Sequence, residues 1–325
     1  MNRYITSSSA TELFMFYNLE NLFYPADRRS DRGHRFDGMR NWTKGRYLDK
    51  LYKIADVFSM VQEKYGVLPS LAGVCEVEGE QPLKDLLALQ PFDSFFDYVH
   101  FDSLDERGID VALIYNRMTV KILDSETITF IFEIPDENPE NYDTTRDVLY
   151  CHIQYLDRPM HLYILHLPSK REKDINRPKR DYILNELKKD MQKRSTEHNE
   201  PVIVMGDFNT NPDDEGIQEL LNVNENIKLV NYFLNVYENR IFSTFHYANG
   251  LLFDQIIISE TFFSDQEIRF QKAEVFTTPQ MMSKDRRFLG RPYRTYAGSR
   301  YLGGYSDHFP VLIEFEKKPY ITTTN

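Results

Sequence analysis

At 325 residues, with 41% hydrophobic and 27% charged side chains, the chain has the composition of a folded, water-soluble protein. No apolar run approaches the roughly 20 residues of a membrane-spanning helix. The formal net charge of −11 excludes a protein that coats nucleic acid through broad electrostatics, but it leaves phosphoester chemistry open, because a site that holds metal cations needs carboxylates.

Residues 1–12 read as an N-terminal extension without the apolar segment of a secretory leader. A cytoplasmic location is expected for the chain as it stands, and an exported or periplasmic one if a leader has been removed. Strand-like runs then follow at 13–18, 70–77, 95–101, 109–116, 127–134, 147–155, 160–167, 201–208, 253–259 and 310–316. Some alternate and some are continuous, so both half-exposed and fully buried strands are expected. Helical periodicity appears over 45–65, with Leu48, Leu51, Ile54, Ala55, Phe58, Val61 and Tyr65 as one apolar stripe. It returns over 174–194 through Ile183, Leu184, Leu187 and Met191, and Asn211–Asp214 reads as the cap of a helix over 214–222. Segments 24–44 and 135–145 read as long surface loops. Cys75 and Cys151 sit in apolar runs as buried free thiols. Many strands with few helices between them indicate two packed β-sheets with helices outside, in one domain over 13–318 with a tail at 319–325. A monomer is expected.

Five polar clusters flank these strands: Asn18-Leu19-Glu20-Asn21, Glu76-Val77-Glu78, His166 to Lys170, Gly206-Asp207-Phe208-Asn209, and Ser306-Asp307-His308. A rigid sheet holds such side chains at one rim. Singly, each has a plainer reading: Gly-Asp-Phe-Asn as a turn, Glu76 as an edge charge, His166 as a structural histidine. Together and in this order they are hard to explain as solvated loop ends.

In these residues the chain resembles the endonuclease/exonuclease/phosphatase superfamily, in a bacterial branch, through YNLENLF, the Glu of GVCEVE, HLPS, GDFNTNP, FDQIIIS and YSDHFPV. That superfamily includes DNase I-like nucleases, inositol polyphosphate 5-phosphatases and sphingomyelinases. The resemblance implies a four-layered α/β sandwich, two mixed β-sheets flanked by helices, with the active site at one end. It also implies a Mg²⁺- or Mn²⁺-dependent phosphoesterase acting on nucleic acid or a small phosphodiester, nuclease-like substrates first and phosphoinositide or sphingolipid substrates as the alternative. Mg²⁺ prefers oxygen ligands and keeps several waters, which suits Glu76 as principal ligand with Asn18 and Asp307 close by. His308 would act on the phosphate and Asp254 would hold its imidazole. Asp207 is the candidate general base, Asn209 would bond a phosphoryl oxygen, and His166 matches a second active-site histidine.

Arg146, Arg107, Ser169 and Lys170 are candidate substrate contacts, each with a bland surface alternative. Asp110 could orient His166 or be a hydrogen-bonded core carboxylate. Glu78 would share a face with Glu76 by two-residue alternation, as a second metal contact or a solvated flank. Arg291–Tyr305 reads either as an arginine- and tyrosine-lined phosphate wall or as a packed loop. Two readings compete with catalysis: a non-catalytic domain that retains the fold, and coincidental turns, which would leave His308 and Asp254 far apart.

Overall fold

The apolar runs become two six-stranded sheets packed face to face, in a computed structural model that describes residues 10–25, 39–105, 107–133, 142–170, 174–194, 200–263 and 268–317. Residues 1–9, the tail 319–325 and most of the loops 24–44 and 135–145 lie outside the described residues. In chain order the sheet strands are β1 (Ala10–Leu22), β2 (Leu71–Val77), β3 (Phe96–His100), β4 (Asp110–Asn116), β5 (Val120–Ile128) and β6 (Val148–Tyr155). They continue as β7 (Arg158–His166), β8 (Val202–Asp207), β9 (Leu229–Val230), β10 (Asp254–Ser259), β11 (Ile268–Val275) and β12 (Val311–Lys317). One sheet runs β11-β12-β1-β2-β4-β3 and the other β9-β10-β8-β7-β6-β5. Parallel pairs β1–β2 and β7–β8 sit at the centres, flanked by antiparallel neighbours.

Central strands are covered on both faces and therefore read as continuous apolar runs. Leu13–Leu19 of β1 and the whole of β8 and β10 are buried. Between the sheets, Phe14 packs against Tyr155, Phe262 and Phe315 with ring centroids 5.2, 5.6 and 4.8 Å away. Gly73 of β2 packs against the second sheet, where an added Cβ would lie 2.6 Å from Met205 Sδ and push that side chain aside.

Helix α1 (Lys44–Tyr65) starts at Thr43, whose hydroxyl accepts from the Arg46 N–H, and ends at Gly66 in the left-handed region with φ 78°. Its buried face is Tyr47, Lys50, Leu51, Ile54, Ala55, Val57, Phe58 and Val61, while Leu48, expected on that face, points outward. Helix α2 (Gln81–Leu87) follows β2, and α3 (Arg177–Arg194) covers the outer face of the second sheet through Ile183, Leu184, Leu187 and Met191. Asp214 caps α4 (Glu215–Leu220) as expected, and α5 (Phe233–Glu238) precedes β10. The layering is the four-layered sandwich that the sequence suggests.

One predicted strand is displaced. The run 127–134 divides into the end of β5 and a separate short strand Ile131–Glu133. β5 is a sheet-edge strand with mostly exposed or half-exposed residues, so it lacks an apolar signature; β11 escaped notice for the same reason. Both cysteines are buried and free, one in each sheet. Among the described residues no helix is long and apolar enough to cross a membrane.

Truncating the inter-sheet anchor, Phe14→Ala, is expected to cost about 3–5 kcal/mol, read as a lower denaturant midpoint with an unchanged slope.

Candidate active site

Strand register assembles half of the site. Asp207, the last residue of β8, lies opposite His166 on β7 and opposite Asp254 on β10. All three side chains are buried. Asp254 Oδ2 accepts from His308 Nδ1 at 2.7 Å and from Ser243 Oγ at 2.5 Å. This leaves His308 Nε2 facing Asp207 Oδ2 at 3.9 Å. Such contact excludes the coincidental-turn reading of the two motifs. Asn209, with φ 49°, donates its backbone N–H to Asp207 Oδ1 and one amide N–H to the Leu167 carbonyl. Its second amide hydrogen remains for a ligand oxygen.

The other half comes from two bulges at the ends of the parallel strands β1 and β2. Glu20 and Asn21 take φ values of 54° and 53°, and Glu76 takes 66°. Pairing slips at both places, so Glu76 is the extra residue between Cys75 and Val77. The bulge aims the Glu76 carboxylate inward: Oε2 accepts from the Asn21 N–H at 2.8 Å and Oε1 lies 3.8 Å from His166 Nε2. It also breaks the alternation that would have put Glu78 beside it. Glu78 Oε2 instead accepts from the Tyr24 backbone N–H. Asn18 turns Nδ2 toward Glu76 and Asp207, at 3.4 and 3.1 Å, and uses Oδ1 to accept from the Glu20 N–H. In this arrangement Asn18 bridges the two carboxylates through Nδ2.

A third layer holds the C-terminal motif. Ser306 Oγ donates to the Asn18 carbonyl and accepts from the His308 N–H, so it stitches the motif to β1. Asp307 is paired with Arg294 at 2.8 Å, and its carbonyl accepts from Thr244 Oγ1. Buried Glu20 accepts from the Thr295 and Tyr296 N–H groups. Buried Lys50 donates to Thr295 Oγ1 at 2.7 Å and to the Tyr305 carbonyl at 2.5 Å. The tyrosine hydroxyls of 291–305 are committed internally: Tyr301 to Asp49, Tyr305 to Asp56, Tyr296 to the Arg40 carbonyl and Tyr293 to the Leu302 carbonyl. The segment is therefore packed as a loop and fastened to α1.

Sequence reasoning missed Lys50, Ser243, Thr244 and the part played by Glu20. Lys50 had a signal, a lysine on the buried face of an amphipathic helix. The Ser243-Thr244 pair had none. Among the remaining candidates, Arg107 donates to Asn21 Oδ1, and Arg146 is buried with its Nε unbonded and 3.9 Å from Asp105. Ser169 is half-buried with its carbonyl bound by Asn176, and Lys170 is exposed over the Phe253 ring. Asp110 accepts from the Ser103 N–H and does not orient His166, whose Nδ1 has no hydrogen-bond partner.

Burial and charge set the protonation states. Burial, reinforced by Asp254, pushes Asp207 up to about 7, near where a general base works best. Burial opposes a charge on His308, but Asp254, its hydrogen bond and Asp207 outweigh that and hold the imidazole well above its ordinary range. His166 goes the other way: burial first, then the charges of Arg146, Arg107 and His308, keep it neutral. Burial and Asp307 lift Glu20 to about 7, and burial draws Lys50 down to about 8.

The donor chemistry fits a hard divalent cation. Glu76 Oε1 has a single, long hydrogen bond, from the Asn18 amide at 3.4 Å, Asp307 is half-buried and pairs with Arg294 through Oδ2, and both offer carboxylate oxygen. The family model described as Endonuclease/Exonuclease/phosphatase family matches residues 13–317. The chain belongs to this family. Endonuclease/exonuclease/phosphatase proteins are hydrolases, and the two mixed sheets with flanking helices are those of that fold. Among solved structures, the mannosyl-6-phosphatase of Bacteroides thetaiotaomicron superposes with TM-score 0.57 at 18% identity, covering 94% of this chain and 99% of that one. TDP2 from D. rerio, complexed with a single-strand DNA product, gives 0.57 at 15% identity with 94% and 98% covered. The human Nocturnin catalytic domain gives 0.55 at 16% identity with 94% of each chain covered. At such identities these likenesses concern the fold alone. No protein with a curated description matches in sequence.

Replacing Lys50 by Met leaves the Thr295 hydroxyl and the Tyr305 carbonyl without their buried donor. It is expected to lower stability by about 1–3 kcal/mol, measured by denaturant unfolding.

Proposed function

We propose that the chain hydrolyses phosphodiesters by in-line attack of water with the aid of Mg²⁺ or Mn²⁺, nucleic-acid strands being the first substrate class. The observation that carries this reading is the His308–Asp254 hydrogen bond at 2.7 Å, made by a ring whose other nitrogen faces Asp207. Asp254 fixes the ring orientation and favours its charged form, so that Nε2–H donates to a phosphoryl oxygen as charge develops there. The remaining N–H of Asn209 serves the same oxygen set. Asp207, poised near neutrality, accepts the proton of the attacking water. Neutral His166 turns Nε2 toward Glu76 and Asp207 at 3.8 and 3.7 Å, lining the space between them. Glu76 and Asp307 would hold the cation, which when bound neutralises charge on the phosphoryl group. Arg146 and Arg107, whose charges both reach His166, are basic groups placed to meet an incoming phosphate.

A second reading is a small phosphate ester, such as an inositol, lipid-headgroup or sugar phosphate. It is supported by the net charge of −11 and by the commitment of the 291–305 tyrosines to internal bonds, which leaves few rings for stacking bases.

Bis-p-nitrophenyl phosphate, p-nitrophenyl phosphate, a single-stranded oligonucleotide and an inositol phosphate, assayed in parallel, separate these readings. Turnover should vanish with EDTA and return with Mg²⁺ or Mn²⁺. His308→Ala should lower kcat by about 10²–10⁴-fold, and Asp254→Asn should act in the same direction. Metal-independent turnover, or full activity in His308→Ala, would overturn the mechanism.

A further inference from the structure

At the far end of the second sheet lies another group of metal-ligating side chains, which phosphoester hydrolysis does not use. His152 on β6 and His161 on β7 are direct partners across the antiparallel register. Their imidazoles lie nearly parallel, with centroids 5.1 Å apart and an interplanar angle of 17°. Glu200, two residues before β8, places Oε2 2.8 Å from His152 Nε2 and 3.4 Å from His161 Nε2. All three ligating atoms fall within 4.8 Å of one another. Zinc bound tetrahedrally at 2.0–2.2 Å separates its ligand atoms by about 3.3 Å, so the group needs little movement to close on an ion.

Two further features favour a ligand set. Tyr150, two residues before His152 and on the same face, has its hydroxyl 2.9 Å from His161 Nδ1. This bond fixes the ring with Nε2 toward Glu200, as an outer partner does for a metal-bound histidine. Exposure is graded: the His161 side chain is 6% exposed, Glu200 12% and His152 29%, so the cluster is closed behind and open in front. The nearby Arg194 guanidinium stacks on the Tyr150 ring and pairs with Asp190 and Glu126, which offset its charge. His161 and His166 are five residues apart on β7, roughly 17 Å at the rise of a strand, so this group is separate from the catalytic end.

We propose that His152, His161 and Glu200 bind one Zn²⁺ ion, with water in the fourth position. Two imidazoles and one carboxylate suit zinc or a neighbouring transition ion, whereas Mg²⁺ prefers an all-oxygen shell. The site fastens β6, β7 and the entry to β8 at the end of the sheet remote from catalysis.

The test is metal retention by the full chain, stripped with chelator, reloaded with Zn²⁺, dialysed and assayed by elemental mass spectrometry. One equivalent should stay on the wild type and on Glu76→Gln, which removes a carboxylate of the catalytic end. His152→Gln and Glu200→Gln should each lose it, with circular dichroism reporting that they fold. Tyr150→Phe should weaken affinity about 10-fold or more. Co²⁺ should give the intense visible bands of a four-coordinate site in the wild type and lose them in His152→Gln. No zinc on the folded wild type, or equal zinc on the wild type, His152→Gln and Glu200→Gln, would overturn the proposal and leave Glu200 as a hydrogen-bond acceptor between two histidines.

Discussion

Everything at the catalytic end depends on one register, Asp207 of β8 standing opposite both His166 and Asp254. Because side chains alternate across a strand, a slip of one residue would turn these groups to the other face. The buried apolar runs of β7, β8 and β10 hold the pairing, so packing far from the site determines its chemistry. Sheet-to-sheet contact does the rest. The Phe14 ring cluster and the packing of Met205 over Gly73 hold the first sheet against the second, and Asn18 then reaches Asp207 across the gap at 3.1 Å. A site built in this way sits largely on rigid elements, with Asn209, Asp307 and His308 arriving on connecting segments.

Four site residues take left-handed backbone conformations. Glu20, Asn21, Glu76 and Asn209 all have φ between 49° and 66°. Non-glycine residues in this region cost of order 1–3 kcal/mol each, with asparagine more tolerant than glutamate. Hydrogen bonds hold these residues in place. Glu76 accepts from the Asn21 N–H, Glu20 accepts from two N–H groups of the C-terminal segment, and Asn209 is tied to Asp207 and Leu167. The bulges bend the carboxylates out of the sheet plane toward a shared space, which regular strands would not do.

Much of this was legible in the sequence, for physical reasons that also explain the gaps. Buried central strands declare themselves as apolar runs, and polar residues at their ends stand out against them. Asp207 was visible in that way, whereas Asp254 was indicated only by the resemblance of FDQIIIS to the family's motif. Edge strands β5 and β11 bury little and carry no such contrast. Local pattern also fails where the backbone leaves its period: the Glu76 bulge voided the alternation that linked Glu78 to the site. Long-range partners such as Lys50 with Tyr305, or Ser243 with Asp254, depend on how distant segments meet, and no spacing rule announces them. The tyrosine-rich stretch shows the same limit, since composition could not say whether the rings face a ligand or a helix.

The two free cysteines have a practical consequence. Cys75 adjoins the Glu76 bulge in one sheet, and Cys151 lies in the other beside His152. Burial pushes both thiols up, Cys151 to about 12 and Cys75 well above its ordinary value, so neither reacts while its strand stays covered. Each sheet thus contains a native chemical clock. Alkylation of the first would time the opening of the catalytic end, and alkylation of the second would time the loosening of the opposite sheet, without any label being engineered.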